Sequence, residues 1–255
     1  EDHDSNPIKI GLGKLKGKGK KVVSVNPVQT GYAAISNDWY SITPGTDGLL
    51  ILSLIRELML SGNIDIDYLR RYTNSPWLVI QNPGKDNDGL FLRDKNGDPQ
   101  VIDRSTGKVV SHKTKGISTE MRAEVKLDDG SKAITAFMIM SETYIDEAYS
   151  PEVITDKVGI SASRIRKFAS DLAEAAFSKE VVIDQPWVDW KGEKHKKMIG
   201  RPVSMHAMRG ISAHSNGFQT CRALHILQLI LGSIEVPGGW RFKPPYPKPP
   251  EAHPK

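Results

Sequence analysis

The stretch that most restricts the fold runs from Lys21 to Gly62. A valine-rich run, Val22-Val23-Ser24-Val25, ends in Asn26-Pro27-Val28-Gln29-Thr30-Gly31. After a short excursion come Pro44-Gly45-Thr46-Asp47-Gly48 and an apolar run from Leu49 to Leu60. β-branched residues followed directly by proline and glycine punctuation read as a buried strand closed by a polar turn. In an open α/β sheet, ligands sit beyond such carboxyl ends. Thr46 and Asp47 stand just before the helical run, where their oxygens can cap free N–H groups and where a helix start attracts anions. The expectation is a nucleotide or other phosphate-bearing cofactor held between the Asn26 turn and the Asp47 turn.

Composition narrows the alternatives. A chain of 255 residues, 38% hydrophobic and 25% charged, can bury a substantial core as one large domain or two small ones. No apolar run reaches the roughly 18 residues of a membrane span, so direct membrane insertion is not expected. Cys221 is the only cysteine, which excludes an internal disulfide and a Cys-rich metal or iron–sulfur centre within the chain. Much of the net charge of +5 lies in Lys14-Leu15-Lys16-Gly17-Lys18-Gly19-Lys20-Lys21. That run reads as a solvated turn, and no nucleic-acid partner is expected. Gly11-Leu12-Gly13-Lys14 has the look of a phosphate loop but lacks the preceding strand that such a loop requires. The first residue is Glu1, no leader is visible, and the end is proline-rich, so the chain reads as an internal piece of a longer protein.

Along the chain, a helix is expected over 8–18, a strand over 22–25, and helices over 48–61 and 64–72. Short strand-like runs separated by Asn96-Gly97 and Asp129-Gly130 predict an antiparallel insertion. Helices resume over 134–144, after Ser150-Pro151, and from a Ser161 cap to Phe177. A strand over 180–183, a strand over 202–207, a loop over 208–215 and a helix over 216–231 complete a second strand–loop–helix unit. The fold class is therefore α/β and Rossmann-like: a mainly parallel sheet flanked by helices, with a small antiparallel hairpin insertion. The expected parts are 1–77, an insertion over 78–132, a second cofactor-binding part over 133–242, and a Pro-rich linker over 243–255.

The order strand, Asn-Pro-Val-Gln-Thr, Pro-Gly-Thr-Asp-Gly, apolar helix is followed later by His-Ser-Asn-Gly, a second apolar helix and Leu-Gly-Ser-Ile-Glu-Val-Pro-Gly-Gly. Over roughly residues 1–242 this resembles the molybdopterin oxidoreductases of the dimethyl-sulfoxide-reductase family. Glu1-Asp2-His3-Asp4-Ser5-Asn6 and Met205-His206-Ala207-Met208-Arg209-Gly210-Ile211-Ser212-Ala213-His214 look most like the large subunit of sulfite-oxidising and thiosulfate- or polysulfide-reducing complexes. The resemblance implies a molybdenum held by two molybdopterin guanine dinucleotides. It implies that Pro44, Gly45, Thr46 and Asp47 read a guanine, Asp47 accepting from the ring N–H and amino group as a carboxylate matched to two adjacent donors. Asn26 and Pro27 would meet the nucleotide and Thr30 a nearby polar group, with Asn26 standing where the family often has Asp. Gly210, His214, Ser215, Asn216 and Gly217 would line the cofactor from the second helix start, with Arg209 neutralising phosphate and Ser5 and Asn6 forming a similar turn. His206 is expected to be packed in the core, and His225 to be structural.

No catalytic residue and no protein ligand to the metal is identified within the chain. The resemblance implies a 4Fe-4S cluster in a preceding N-terminal region, an iron–sulfur electron-transfer subunit, a membrane-anchor subunit, and a small inorganic sulfur substrate such as sulfite, thiosulfate or polysulfide. The implied location is cytoplasmic, at the membrane through partner subunits, with the periplasm open as well. The rivals are a formate dehydrogenase or nitrate reductase of the same family, a non-catalytic Rossmann-like module that docks a partner subunit, and a nucleotide-binding regulator.

Overall fold

A computed structural model describes residues 7–29, 31–189, 192–207 and 209–240, with side chains from Ile10 onward. Ser5, Asn6 and Thr30, three of the expected cofactor residues, lie outside the described residues, as does the expected linker over 243–255.

After α1 (Pro7–Gly17), strand β1 (Val23–Val25) pairs in parallel with β2 (Asp38–Tyr40), the short helix α2 (Tyr32–Ile35) crossing between them. The register sets Val25 opposite Tyr40, so both strands end at the same edge. Two helices follow, α3 (Asp47–Leu60) and α4 (Ile66–Tyr72). α3 is the centre of the core: Leu50, Leu54, Ile55 and Leu58 are almost wholly buried. Their spacing places them on one face of a 3.6-residue helix, and each such burial stabilises by about 1.5–3 kcal/mol.

Residues 78–135 form a small antiparallel β unit with its own apolar cluster around Leu78, Ile102 and Ala133. β3 (Leu78–Gln81) and β6 (Glu124–Lys126) flank β7 (Lys132–Thr135), and β4 (Gln100–Ile102) pairs with β5 (Val109–Ser111). β7 takes in Ile134 and Thr135, which read from sequence as the start of a helix, because they pair with Val79 and Leu78. The helix α5 (Ala136–Tyr144) starts only after it, and the run at 90–93 contributes isolated bridges rather than a strand.

α6 (Pro151–Val158) and α7 (Ala162–Ala173) pack on α3. The Ser150 hydroxyl accepts from the Val153 N–H at 3.4 Å, Pro151 occupies the first turn, and Gly159 ends α6 in the left-handed region at φ 72°. Ser150 is 1% exposed, so Ser150→Ala removes a buried cap and should cost about 1 kcal/mol. That loss lowers a thermal midpoint by about 2–4 °C, and an unchanged midpoint would show that the cap carries nothing. α7 covers β1–β2: Phe168 stacks on Tyr40 at 4.7 Å, and the Arg164 guanidinium lies 4.3 Å from the Tyr40 ring while bonding the Trp39 carbonyl. Lys21, just before β1, pairs with Asp171 at 2.7 Å. The expected end of α7 at Phe177 is instead a π turn over Glu174–Ser178.

The later strands differ from expectation. β8 (Val181–Ile183) forms, but it pairs antiparallel with β11 (Met198–Gly200) and is exposed. Between them, β9 (Trp187–Val188) and β10 (Lys194–His195) make a second small hairpin. The run over 202–207 is irregular: Pro202 has no N–H to give, and the Val203 N–H turns back onto the Arg201 carbonyl at 2.7 Å. The segment read as a loop contains one helical turn, α8 (Arg209–Ser212), ahead of α9 (Gly217–Ile230). Among the described residues, β1–β2 is the one parallel pair of strands, beside an isolated parallel bridge between Ile234 and Trp240, and every other sheet is antiparallel. No described helix is long and apolar enough to cross a membrane.

Candidate cofactor site

At the shared edge of β1 and β2 the chain makes two turns. In the first, the Asn26 N–H donates to the Tyr40 carbonyl at 3.1 Å and the Asn26 carbonyl accepts from the Trp39 indole at 2.8 Å. The Asn26 side-chain oxygen accepts from the Val28 N–H at 3.0 Å, an Asx turn that commits this oxygen locally. Pro27 beside it is exposed. In the second turn, the Thr46 N–H donates to the Thr43 carbonyl at 3.2 Å across Pro44 and Gly45. Gly45 has φ 84°, so Pro then Gly meets the needs of a type II turn, where the second central residue must be left-handed.

Thr46 does not cap α3 as the sequence suggested. Its hydroxyl donates to the Thr43 carbonyl at 2.7 Å, and no side chain caps the helix. Asp47 is half-buried in the first turn, and its carboxylate has no hydrogen bond or ion pair among the described residues. α9 is likewise uncapped by a side chain at Asn216. A carboxylate near the positive end of a helix is favoured, and uncapped N–H groups remain available to an acceptor from outside.

α3 and α9 lie side by side in the same direction. At their starts, a Cβ on Gly48 would stand 2.8 Å from the Thr220 hydroxyl. At their ends, the Asp65 N–H just after α3 donates to the Ile230 carbonyl at 2.7 Å. Both positive helix ends therefore face the same way. Gly217 is buried against the preceding turn, where a Cβ would stand 2.0 Å from the Ser212 carbonyl oxygen. Tyr32, beyond the Asn26 turn, meets the His206 ring edge-on at 6.4 Å, which draws the segment entering α8 toward the β1 edge. His206 is exposed, not packed in the core as expected.

A crevice of about 320 Å³ opens between the two helix starts, lined by Gly48, Leu49, Leu52, Tyr144, Asn216, Gln219, Thr220, Arg222 and Ala223. Of the residues predicted from sequence, Asn216 lines it, Gly217 lies directly behind Asn216, and Asp47 directly precedes Gly48. Arg209, Gly210, His214 and Ser215 are exposed on the adjoining turn and do not line the crevice. Sequence reasoning missed Tyr144, Gln219 and Arg222. The last two follow Asn216 at helical spacing, a usable signal, whereas Tyr144 arrives from α5 by tertiary packing. Burial pushes the Tyr144 phenol above its usual pKa, with the nearby Arg222 charge acting the other way. Cys221 is half-buried on α9 and does not line the crevice. His225 is exposed on α9, with Nδ1 2.8 Å from the Cys221 carbonyl oxygen and its ring 5.4 Å from Trp240.

No family model matches the chain. It is 40% identical to a sulfite dehydrogenase subunit of Allochromatium vinosum, over 98% of this chain and 26% of that protein. It is 20% identical to the formate dehydrogenase major subunit of Haemophilus influenzae, over 89% of this chain and 19% of that protein. Among solved structures it superposes on acetylene hydratase from Pelobacter acetylenicus with a TM-score of 0.50 at 15% identity, covering 89% of this chain and 19% of that one. The chain thus spans 26% or less of the length of each of these proteins.

Proposed function

Because the homologues of this chain are catalytic subunits of the molybdopterin oxidoreductases, the dimethyl-sulfoxide-reductase family, we propose that it is the part of such a protein that grips the guanine-dinucleotide end of the cofactor. The whole enzyme, on this reading, oxidises or reduces a small inorganic sulfur compound, sulfite before thiosulfate or polysulfide. The 40% identity to a sulfite dehydrogenase, against 20% to a formate dehydrogenase, favours sulfur over formate.

The observation that carries the reading is the Asp47 carboxylate, without a partner among the described residues at the start of one helix and set beside the start of another. The donor and acceptor set fits a guanine nucleotide. Asp47 offers two acceptor oxygens to adjacent ring donors, the Asn26 side-chain nitrogen is left as a donor, and the uncapped N–H groups of α3 and α9 suit phosphate. Gly45 and Gly210 face open space, so backbone can approach a ligand closely there. When bound, the cofactor supplies a molybdenum centre that changes oxidation state as an oxygen or sulfur atom is transferred. This chain orients the nucleotide end and holds its charge.

The parallel pair β1–β2 belongs, in this proposal, to a Rossmann-like sheet whose other strands come from the rest of the subunit. An iron–sulfur subunit takes the electrons, and the complex docks at the cytoplasmic face through a membrane-anchor subunit. A 4Fe-4S cluster lies in the N-terminal region of the complete catalytic protein. Asp47→Ala in that complete protein tests the reading, since pterin and molybdenum contents should fall together. A non-catalytic docking module would contain no molybdenum at all.

A further inference from the structure

The crevice between α3 and α9 holds a cation, Arg222. Arg222 lines it and, among the described residues, makes no ion pair and no hydrogen bond. By contrast, Arg56, Arg166 and Arg201 each pair with at least one carboxylate. Tyr144 comes from α5, Gln219 from α9, and Asn216 from the turn just before α9. Leu49, Leu52 and Ala223 make an apolar floor. At about 320 Å³ the space lies within the range of small-ligand sites, which pair apolar walls with a few convergent polar groups. A guanidinium presents its donors as a planar fork that matches two oxygens of a phosphate.

We propose that this crevice receives a phosphate of the bound cofactor, with Arg222 as its cation and Tyr144 as a hydroxyl donor. The proposal rests on the cofactor reading above and adds to it two residues outside the family motifs.

The test is Arg222→Met in the complete catalytic protein, with Arg222→Lys and Tyr144→Phe beside it. The readout is guanosine monophosphate released per polypeptide on acid hydrolysis, together with the thermal midpoint. Arg222 is exposed, so the methionine variant should fold, with the midpoint of its cofactor-free form unchanged. Guanosine monophosphate should fall about tenfold in Arg222→Met, the ordinary consequence of losing one charge-assisted contact. It should fall less in Arg222→Lys, which keeps the charge and loses the fork, and severalfold in Tyr144→Phe. Full nucleotide content in Arg222→Met would overturn the inference, whatever happened to the KM for sulfite. If Asp47→Ala loses the nucleotide while Arg222→Met keeps it, the cofactor reading stands and this inference falls. If both keep it, both fall.

Discussion

Replacing Asp47 with alanine should strip the complete catalytic protein of most of its pterin and molybdenum, while the thermal midpoint of the cofactor-free protein moves by no more than about 4 °C. Two magnitudes set this contrast. Within the chain the carboxylate has no partner among the described residues, so its removal breaks no contact there and forfeits only the attraction of an acidic group to the α3 start, about 0.3–1 kcal/mol. Toward a guanine, the same carboxylate would accept two charge-assisted bonds, each worth about 1.5–3 kcal/mol. Even the lower figure for both together corresponds to about a hundredfold in affinity. Asp47→Asn discriminates further. It keeps the size but replaces one acceptor oxygen by a donor, which would face a ring N–H or amino group with the wrong polarity. It should therefore lose nearly as much cofactor as alanine. Normal pterin and molybdenum in both variants would remove Asp47 from the site and with it the main support for the cofactor reading.

What is legible from sequence follows from the range of the forces that decide each element. β1, α3, α6 and α9 are readable because each is punctuated locally: Asn26-Pro27 after β1, Ser150-Pro151 before α6, Gly159 after α6 and Gly232 after α9. The antiparallel insertion announces itself through Asn-Gly and Asp-Gly turns. Where the outcome depends on a distant partner, sequence misleads. Ile134 and Thr135 follow a helix-like pattern in sequence, yet β3 claims them as a strand. The strand over 180–183 forms, but nothing local to it tells that it pairs antiparallel with β11 and stays exposed. The site divides the same way. The Asp47 and Asn216 turns are visible as helix starts, whereas their side-by-side arrangement comes from the packing of α3 on α9. Thr46 stands where a cap would suit, but the Thr43 carbonyl lies within reach and takes its hydroxyl. Tyr144 cannot be found from sequence at all, since nothing near it in the chain refers to α9.

The crevice depends on how closely α3 and α9 approach, and Gly48 is what permits it. A methyl group at position 48 would stand 2.8 Å from the Thr220 hydroxyl oxygen but 3.6 Å from the Thr220 Cβ. Thr220 is 4% exposed and its hydroxyl donates to the Asn216 carbonyl at 3.1 Å, so rotating it away strands a buried polar group. Gly48→Ala should therefore lower stability: crowding of this kind costs about 1–3 kcal/mol, which exceeds the gain of up to about 1 kcal/mol from replacing glycine in a helix. With Thr220→Ala already in place the oxygen is gone, and the remaining 3.6 Å contact is ordinary packing. The same Gly48→Ala change should then raise the thermal midpoint, because only the helix-propensity gain is left. Contacting residues are expected to couple in this way, and distant ones are not. The order of midpoints in the complete catalytic protein is the measurement. A Gly48→Ala decrement that is equal in the two backgrounds would show that the helices do not meet at this pair, and that the crevice beside it has another shape.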